Sequence, residues 1–222
     1  MSRLILIDGP PGVGKSTLAA ELAGRLASHR LLFEMDGDHP LHPVPVGAQG
    51  ADFTELEDMD VVELGDLLIG KWEAFLADIE AQQDNVILES YPYQSHLRVL
   101  WQMNATDEFL SEWITRLHAA LHRHSPHLVM LRLGGNAEQL KRIYDERGSA
   151  WMEFLIQFTS KTAYSRARNL SGYAGAMRFL ADYVDSLSQW SSLWPFARSD
   201  FEAWQAAPSV QVAEVMHRLG KL

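Results

Sequence analysis

Leu4-Ile5-Leu6-Ile7-Asp8-Gly9-Pro10-Pro11-Gly12-Val13-Gly14-Lys15-Ser16-Thr17 is the stretch that decides the fold. A short apolar run ends in Asp8, and Gly9 to Ser16 then match G-x-x-x-x-G-K-[ST] in full. Lys15 to His29 follow with helical spacing, Leu18, Leu22 and Leu26 standing at four-residue steps. Strand, glycine loop and helix in that order are the context the pattern demands. Glycines let the backbone curl so that its N–H groups turn inward on phosphate oxygens. The helix starting near Lys15 adds its positive dipole end. Lys15 brings a mobile charge to the β- and γ-phosphates, and the Ser16 hydroxyl is a Mg²⁺ ligand. The expected nucleotide contacts are therefore Gly9, Pro10, Pro11, Gly12, Val13, Gly14, Lys15, Ser16 and Thr17, with Ser16 also the expected metal ligand.

Outward from this loop, short apolar runs alternate with amphipathic helical stretches. Strands are expected at Arg3 to Asp8, Leu31 to Met35, Asn85 to Glu89 and His127 to Leu133. A fifth is expected at Ser192 to Ala197, where Pro195 suits an edge position. Helices are expected at 15–29, 61–81, most of 94–123, 137–147, 174–190 and 209–219, with 148–172 helical or mixed. Strands separated by helices imply a parallel sheet with right-handed crossovers. No repeat, low-complexity tract or linker marks a second domain.

The chain has 222 residues, which fits one domain with a substantial core. It has no cysteine, which excludes disulfides and thiolate chemistry. Nineteen Lys+Arg against twenty-nine Asp+Glu give a net charge of −10. Such a chain is a poor candidate for non-specific binding to nucleic acid or an anionic membrane. No apolar run nears the roughly 20 residues of a membrane span, and no secretory signal is visible. The expected location is cytoplasmic.

On the Gly9–Ser16 motif in its strand-and-helix setting, the chain resembles the P-loop nucleoside-triphosphate-binding superfamily. A GTPase switch needs N-K-x-D, which does not occur, and the D-x-x-G at Asp145–Gly148 falls late in an expected helix. Leu170-Ser171-Gly172 begins like a transporter ATPase signature, but Tyr173-Ala174 replaces its next residues and no apolar strand ending in Asp-Glu follows. The rest is similar to the small-molecule and nucleotide kinases of the superfamily over about residues 1–150. Asp36-Gly37-Asp38 is similar to the D-G-D of adenylylsulfate kinase. Val86-Ile87-Leu88-Glu89-Ser90-Tyr91 resembles the acid-ended strand of thymidylate and deoxynucleoside kinases, with Ser90 where those families usually carry Arg. Val129 to Leu133, followed by 137–148, resembles their fourth strand and the helix leading to the lid, where Lys141, Arg142 and Arg147 stand as lid cations.

This resemblance implies an α/β, three-layer α/β/α sandwich with a five-stranded parallel sheet in the order 2-3-1-4-5. One P-loop kinase-like domain is expected over 1–222, with helical lid and substrate elements at about 136–172. The activity implied is phosphoryl transfer from ATP with Mg²⁺ to a small hydroxyl-bearing or nucleotide acceptor. A nucleoside or nucleotide kinase is the narrower reading, and a nucleotide-binding regulatory ATPase that transfers only to water is the alternative from another class. The implied partners are a nucleoside triphosphate and a small acceptor, with neither nucleic acid nor membrane.

Asp8, Asp36, Asp38 and Glu89 all stand at carboxyl ends of expected strands, which face one crevice in a parallel sheet. One acid must orient the attacking hydroxyl, and others hold Mg²⁺ through water. Glu89 and Asp36 are the candidates for the base. Asp38, His39, Tyr91 and Arg98 are the candidate acceptor contacts, in a site bounded by 36–58, 91–98 and 59–81. Arg142 and Arg147 lie on different faces of a continuous helix and meet one ligand only if the helix ends between them, as Gly148 suggests. Lys161, Arg166 and Arg168 read as a solvated face, His118 and His122 as structural, and Trp101, Trp113 and Trp151 as packing.

Overall fold

A computed structural model describes residues 4–26, 28–43, 46–47, 50–51, 59–133, 141–143, 145–203 and 206–220. Five parallel strands form one sheet: β1 (Leu4–Asp8), β2 (His29–Leu32), β3 (Asn85–Glu89), β4 (His127–Arg132) and β5 (Arg198–Glu202). Their order is β2-β3-β1-β4-β5, the 2-3-1-4-5 order expected from the resemblance. Leu4 pairs with Val86 on one side of β1 and Ile5 with His127 on the other. All five residues of β1 are buried, as a central strand covered on both faces requires.

The flanking helices are α1 (Lys15–Arg25), α2 (Val61–Gln82), α3 (Arg98–Gln102), α4 (Asp107–Leu121), α5 (Ser149–Ser160), α6 (Ala163–Ala167), α7 (Gly172–Ser192) and α8 (Pro208–Leu219). A π-turn over Tyr93–Leu97 leads into α3. The helix α2 starts where the Asp60 carboxylate accepts the Val62 N–H at 2.8 Å. It buries Leu64, Leu68, Trp72, Phe75 and Ile79 along one stripe. It meets α4 closely at Gly65, where an added Cβ would stand 2.7 Å from the Phe109 ring and where the Trp113 indole N–H donates to the Gly65 carbonyl at 3.0 Å.

Several expectations shift. The first helix ends at Arg25, and His29, expected at its end, opens β2. The second strand is His29–Leu32 rather than 31–35, because the Asp36 carboxylate accepts the Phe33 N–H at 2.8 Å and turns the chain there. The stretch 94–123 is broken at Asn104, which adopts a left-handed φ of 63°, and restarts at the Thr106 cap. The fifth strand is Arg198–Glu202 and not 192–197. Helix α7 runs on through Ser192, and Trp194 and Phe196 belong to the connection, packed on each other at 5.2 Å. Of the expected helix 137–147, residues 141–143 and 145 are helical and the chain turns at 146–147. Residues 136–140 and 144 of the expected lid, and 44–45, 48–49 and 52–58 of the expected acceptor loop, lie outside the described residues, as do 134–135 before the lid.

Candidate active site

The phosphate loop is clamped between two neighbours. Gly9 has φ 150°, and a Cβ there would press on the Leu131 carbonyl oxygen of β4. Gly12 has φ 86°, and a Cβ there would stand 2.5 Å from the Ile143 side chain. Both positions need glycine on two counts, backbone conformation and space.

Asp8 anchors the loop from below. It is fully buried and accepts the Gly9 N–H at 2.7 Å, the Tyr93 N–H at 2.6 Å and the Gln94 N–H at 3.2 Å. Burial pushes its pKa up to about 7, against the opposing pull of the Lys15 charge and the three N–H donors. Its carboxylate thereby ties the loop to the π-turn that follows β3.

Lys15 is 4% exposed. Its Nζ donates to the Pro10 carbonyl at 2.9 Å and to Gln94 Oε1. An ammonium has three donors, so the pair leaves one for a ligand in the cleft. Burial lowers the Lys15 pKa, Glu89, Glu34 and Asp8 raise it, and Arg98 lowers it further. The Ser16 hydroxyl donates to Glu89 Oε1 at 3.1 Å, and Glu89 Oε2 accepts the Glu34 N–H at 3.1 Å. The Glu34 carboxylate in turn accepts Gln94 Nε2–H and the Ser95 hydroxyl, each at 2.6 Å. Phosphate loop, β3 and the end of β2 thus meet in one hydrogen-bonded group.

These residues surround a cleft of about 700 Å³, within the range of small-ligand sites. Of the expected site residues, Pro11, Gly12, Gly14, Lys15, Ser16, Thr17, Asp36, Glu89 and Arg147 line it. Arg142 does not: its side chain is 74% exposed and pairs with Glu146 at 3.0 Å. Asp38, His39, Tyr91 and Arg98 also stand off the wall. Asp38 is exposed, while the His39 ring stacks on the buried Tyr91 ring at 4.6 Å. Arg98 donates from Nε to the Gln94 carbonyl at 2.8 Å, behind the cleft.

Four residues of the cleft were not singled out from the sequence, the apolar Phe33 and Met35 and the polar Glu34 and Gln94. Glu34 lies two residues past β2, and its strand-end acidity is a signal that the neighbouring Asp36-Gly37-Asp38 outweighed. Gln94 carries no local signal, since its partners lie 79 and 60 residues away.

The donor set fits a magnesium-nucleotide. Mg²⁺ takes hard oxygen ligands, keeps several waters, and is usually held by one or two carboxylates and the substrate phosphates. Ser16 Oγ and Glu89 offer such oxygens on the cleft wall. Among the described residues no group of three or more His, Cys, Asp or Glu makes a dedicated metal cage.

The remaining chemistry-bearing residues serve packing. His118 faces Trp194 and Phe196 at 5.4 and 6.1 Å. Trp101 is buried against Tyr164, Phe179 and Tyr183. Arg168 lies 3.6 Å over the Tyr164 ring and donates to Asn104, and Arg166 donates to the Lys161 carbonyl. Among the described residues no helix is long and apolar enough to cross a membrane.

No protein-family model and no curated protein matches the chain. Solved structures do match. The YorR protein of Bacillus subtilis, determined with phosphorylated GDP, is similar at a TM-score of 0.57 and 12% identity, over 98% of this chain and 95% of that one. The deoxyadenosine kinase of M. mycoides, determined with dATP, is similar at 0.52 and 15%, over 98% and 99%. The thymidylate kinase of Ehrlichia chaffeensis is similar at 0.55 and 12%, over 99% and 98%. With the glycine loop between β1 and α1, the strand order and these likenesses together, the chain has the P-loop kinase fold.

Proposed function

We propose that this protein is an ATP- and Mg²⁺-dependent phosphotransferase that acts in the cytoplasm on a small hydroxyl-bearing acceptor, a nucleoside or nucleotide first among them. One observation carries the reading: Lys15 and Ser16 of the phosphate loop share a single cleft with the carboxylates Glu89 and Glu34. Phosphoryl transfer asks a protein mainly for positioning and charge stabilisation, and these are the parts it uses. The loop N–H groups and Lys15 hold the β- and γ-phosphates. Ser16 and Glu89, hydrogen-bonded to each other, would hold the metal. Bound Mg²⁺ supplies charge neutralisation on the phosphate oxygens.

The acid that aligns the acceptor hydroxyl is Glu34. Glu89 is drawn to the metal side by Ser16, and Asp36 uses one carboxylate oxygen on its own turn. Glu34 keeps lone pairs free on a carboxylate that two side chains hold still. Arg147 supplies the second cation on the cleft wall. The likeness to a deoxyadenosine kinase and a thymidylate kinase favours the nucleoside and nucleotide acceptors. The test is a panel of nucleosides, nucleoside monophosphates and small polyols, assayed by coupled ADP release with ATP and Mg²⁺. ADP release that rises with one acceptor class supports the reading. Hydrolysis at a rate untouched by every acceptor replaces it with an ATPase that transfers only to water.

A further inference from the structure

All four polar groups of Gln94 are taken by charged residues in and behind the cleft. Its N–H donates to Asp8 Oδ1 at 3.2 Å and its carbonyl accepts Arg98 Nε–H at 2.8 Å. Its side-chain Oε1 accepts the Lys15 ammonium, and its Nε2–H donates to Glu34 Oε2 at 2.6 Å. Gln94 is 6% exposed. We propose that Gln94 is a positioning residue that locks the Lys15 ammonium to the Glu34 carboxylate, so that the charge on Glu34 sets how well Lys15 receives a triphosphate. The inference rests on reading the cleft as an ATP site.

The reason lies in the amide. An ammonium offers donors only and a carboxylate acceptors only, so a single orientation of the Gln94 amide satisfies both. The amide is a rigid plate, and its two ends turn together. The flipped plate sets NH₂ against the ammonium and oxygen against the carboxylate. Glu34 and Lys15 therefore select the same orientation, and each holds the plate for the other. With Oε1 and the Pro10 carbonyl holding two donors, the third is aimed before any ligand arrives. Removing the Glu34 charge releases the plate, and Lys15 loses one of its two guides. Asp8 and Arg98 hold the Gln94 backbone and Glu89 sits beside Glu34, so no other part of the residue is free to compensate.

Coulomb attraction acting through space makes the opposite forecast. Neutralising an acid near a phosphate site tightens ATP binding, whatever residue 94 is. The Mg·ATP dissociation constant of the full chain is to be measured by calorimetry for the parent, Glu34→Gln, Gln94→Leu and the double variant. The lock requires Glu34→Gln to weaken Mg·ATP about three-fold in the parent, and to leave it unchanged or tighter in the Gln94→Leu background. A shift in the same direction and of the same size in both backgrounds overturns it.

Gln94→Glu gives a second background that does not depend on the leucine variant folding. It keeps an acceptor for Lys15 but sets a like charge against Glu34, so Glu34→Gln, which weakens Mg·ATP in the parent, is expected to tighten it here, the new amide donating to the new carboxylate. A shift in the same direction in both backgrounds overturns the lock. A parent chain that does not bind Mg·ATP at all overturns the ATP reading itself, and the lock with it.

Discussion

Arg147 lies against Gly12 of the phosphate loop, its Nη2 3.7 Å and its Nε 3.8 Å from where a Cβ on that glycine would stand. Its guanidinium sits over the Trp151 ring at 4.8 Å, which fixes the plane while leaving N–H groups toward the cleft. Arg142, five residues earlier, points elsewhere because the helix gives way at 146–147. The two arginines therefore differ in placement, and their removal is expected to differ in effect. Arg147→Ala is expected to lower kcat about ten-fold or more with a smaller effect on ATP affinity, as for a cation that neutralises charge mainly in the transition state. Arg142→Ala is expected to stay within about two-fold of the parent, its exposed ion pair carrying little. Steady-state kcat and KM of both variants decide this, and parent-like kinetics for Arg147→Ala return that residue to the surface.

Lys15 is buried among Asp8, Glu34 and Glu89, so its removal does more than delete a ligand contact. Lys15→Ala is expected to lose Mg·ATP binding by about 100-fold or more. It also leaves three acids without their shared cation, and the melting temperature falls. A thermal melt and a binding isotherm check both parts. A folded variant that binds ATP like the parent removes Lys15 from the phosphate site.

Ser16→Ala replaces an oxygen ligand with a methyl group and frees Glu89 from its 3.1 Å bond. ATP affinity is then expected to lose most of its Mg²⁺ dependence while metal-free binding stays near that of the parent. Titrations with and without Mg²⁺ measure this. Full retention of the metal effect shows that Ser16 is not a ligand.

What was legible in the sequence follows from how local each cause is. The phosphate loop is a contiguous pattern between an apolar run and a helical repeat, and strand, turn and helix formed where those residues stand. The fifth strand was misplaced because Leu193, Trp194, Phe196 and Ala197 are apolar, and apolar runs read as strands. The true β5 reads Arg-Ser-Asp-Phe-Glu, since an edge strand pairs on one side only and tolerates charge. The Lys15–Gln94–Glu34 group joins three elements distant in sequence, and no spacing rule reaches across such separations. Arg142 and Arg147 were distinguishable only through the end of their helix, to which Gly148 pointed without saying which arginine turned inward.

His96 couples stability to pH. It is fully buried, its Nδ1 accepts the Trp72 indole N–H at 3.1 Å, and its Nε2 donates to the Leu41 carbonyl at 2.7 Å. Both nitrogens are thus committed in the neutral form. Burial pushes its pKa down to about 3, the Leu41 bond works the other way, and His39, His42 and Lys71 add to the lowering. The unfolded chain takes up this proton near pH 6.5. The stabilisation is present above that pH and is lost as pH falls from about 6.5 toward 3, at about 1.4 kcal/mol per pH unit within the window. His39 and His118, both lowered to about 4, act in the same sense. Asp8, raised to about 7, opposes them between pH 3.8 and 7, because only the folded chain keeps its proton there. His96→Gln can accept from Trp72 and donate to Leu41 without titrating. Urea unfolding between about pH 7 and pH 5 is expected to show a dependence smaller by about one proton in this variant. Identical slopes would remove His96 as a cause.

The acid that serves the acceptor is open to direct test, because three carboxylates at the cleft have different attachments. Glu89 holds the Ser16 hydroxyl on one oxygen and the Glu34 N–H on the other. Asp36 caps the turn at Phe33. Glu34 is held by Gln94 and Ser95 and keeps lone pairs for an incoming hydroxyl. In a loose transition state the hydroxyl proton leaves late, so this acid works by alignment more than by basicity. Glu34→Gln keeps the shape and removes the charge. It is expected to lower single-turnover transfer about 100-fold while Mg·ATP affinity changes only a few-fold. Glu89→Gln is expected to lower transfer and the Mg²⁺ dependence of ATP binding together, and Asp36→Asn to cost no more than about ten-fold. The three variants are to be compared in one single-turnover assay with the acceptor that the ADP-release panel identifies. Should Glu34→Gln transfer at the parent rate while Glu89→Gln abolishes transfer with Mg·ATP binding intact, the aligning acid is Glu89, at the end of β3.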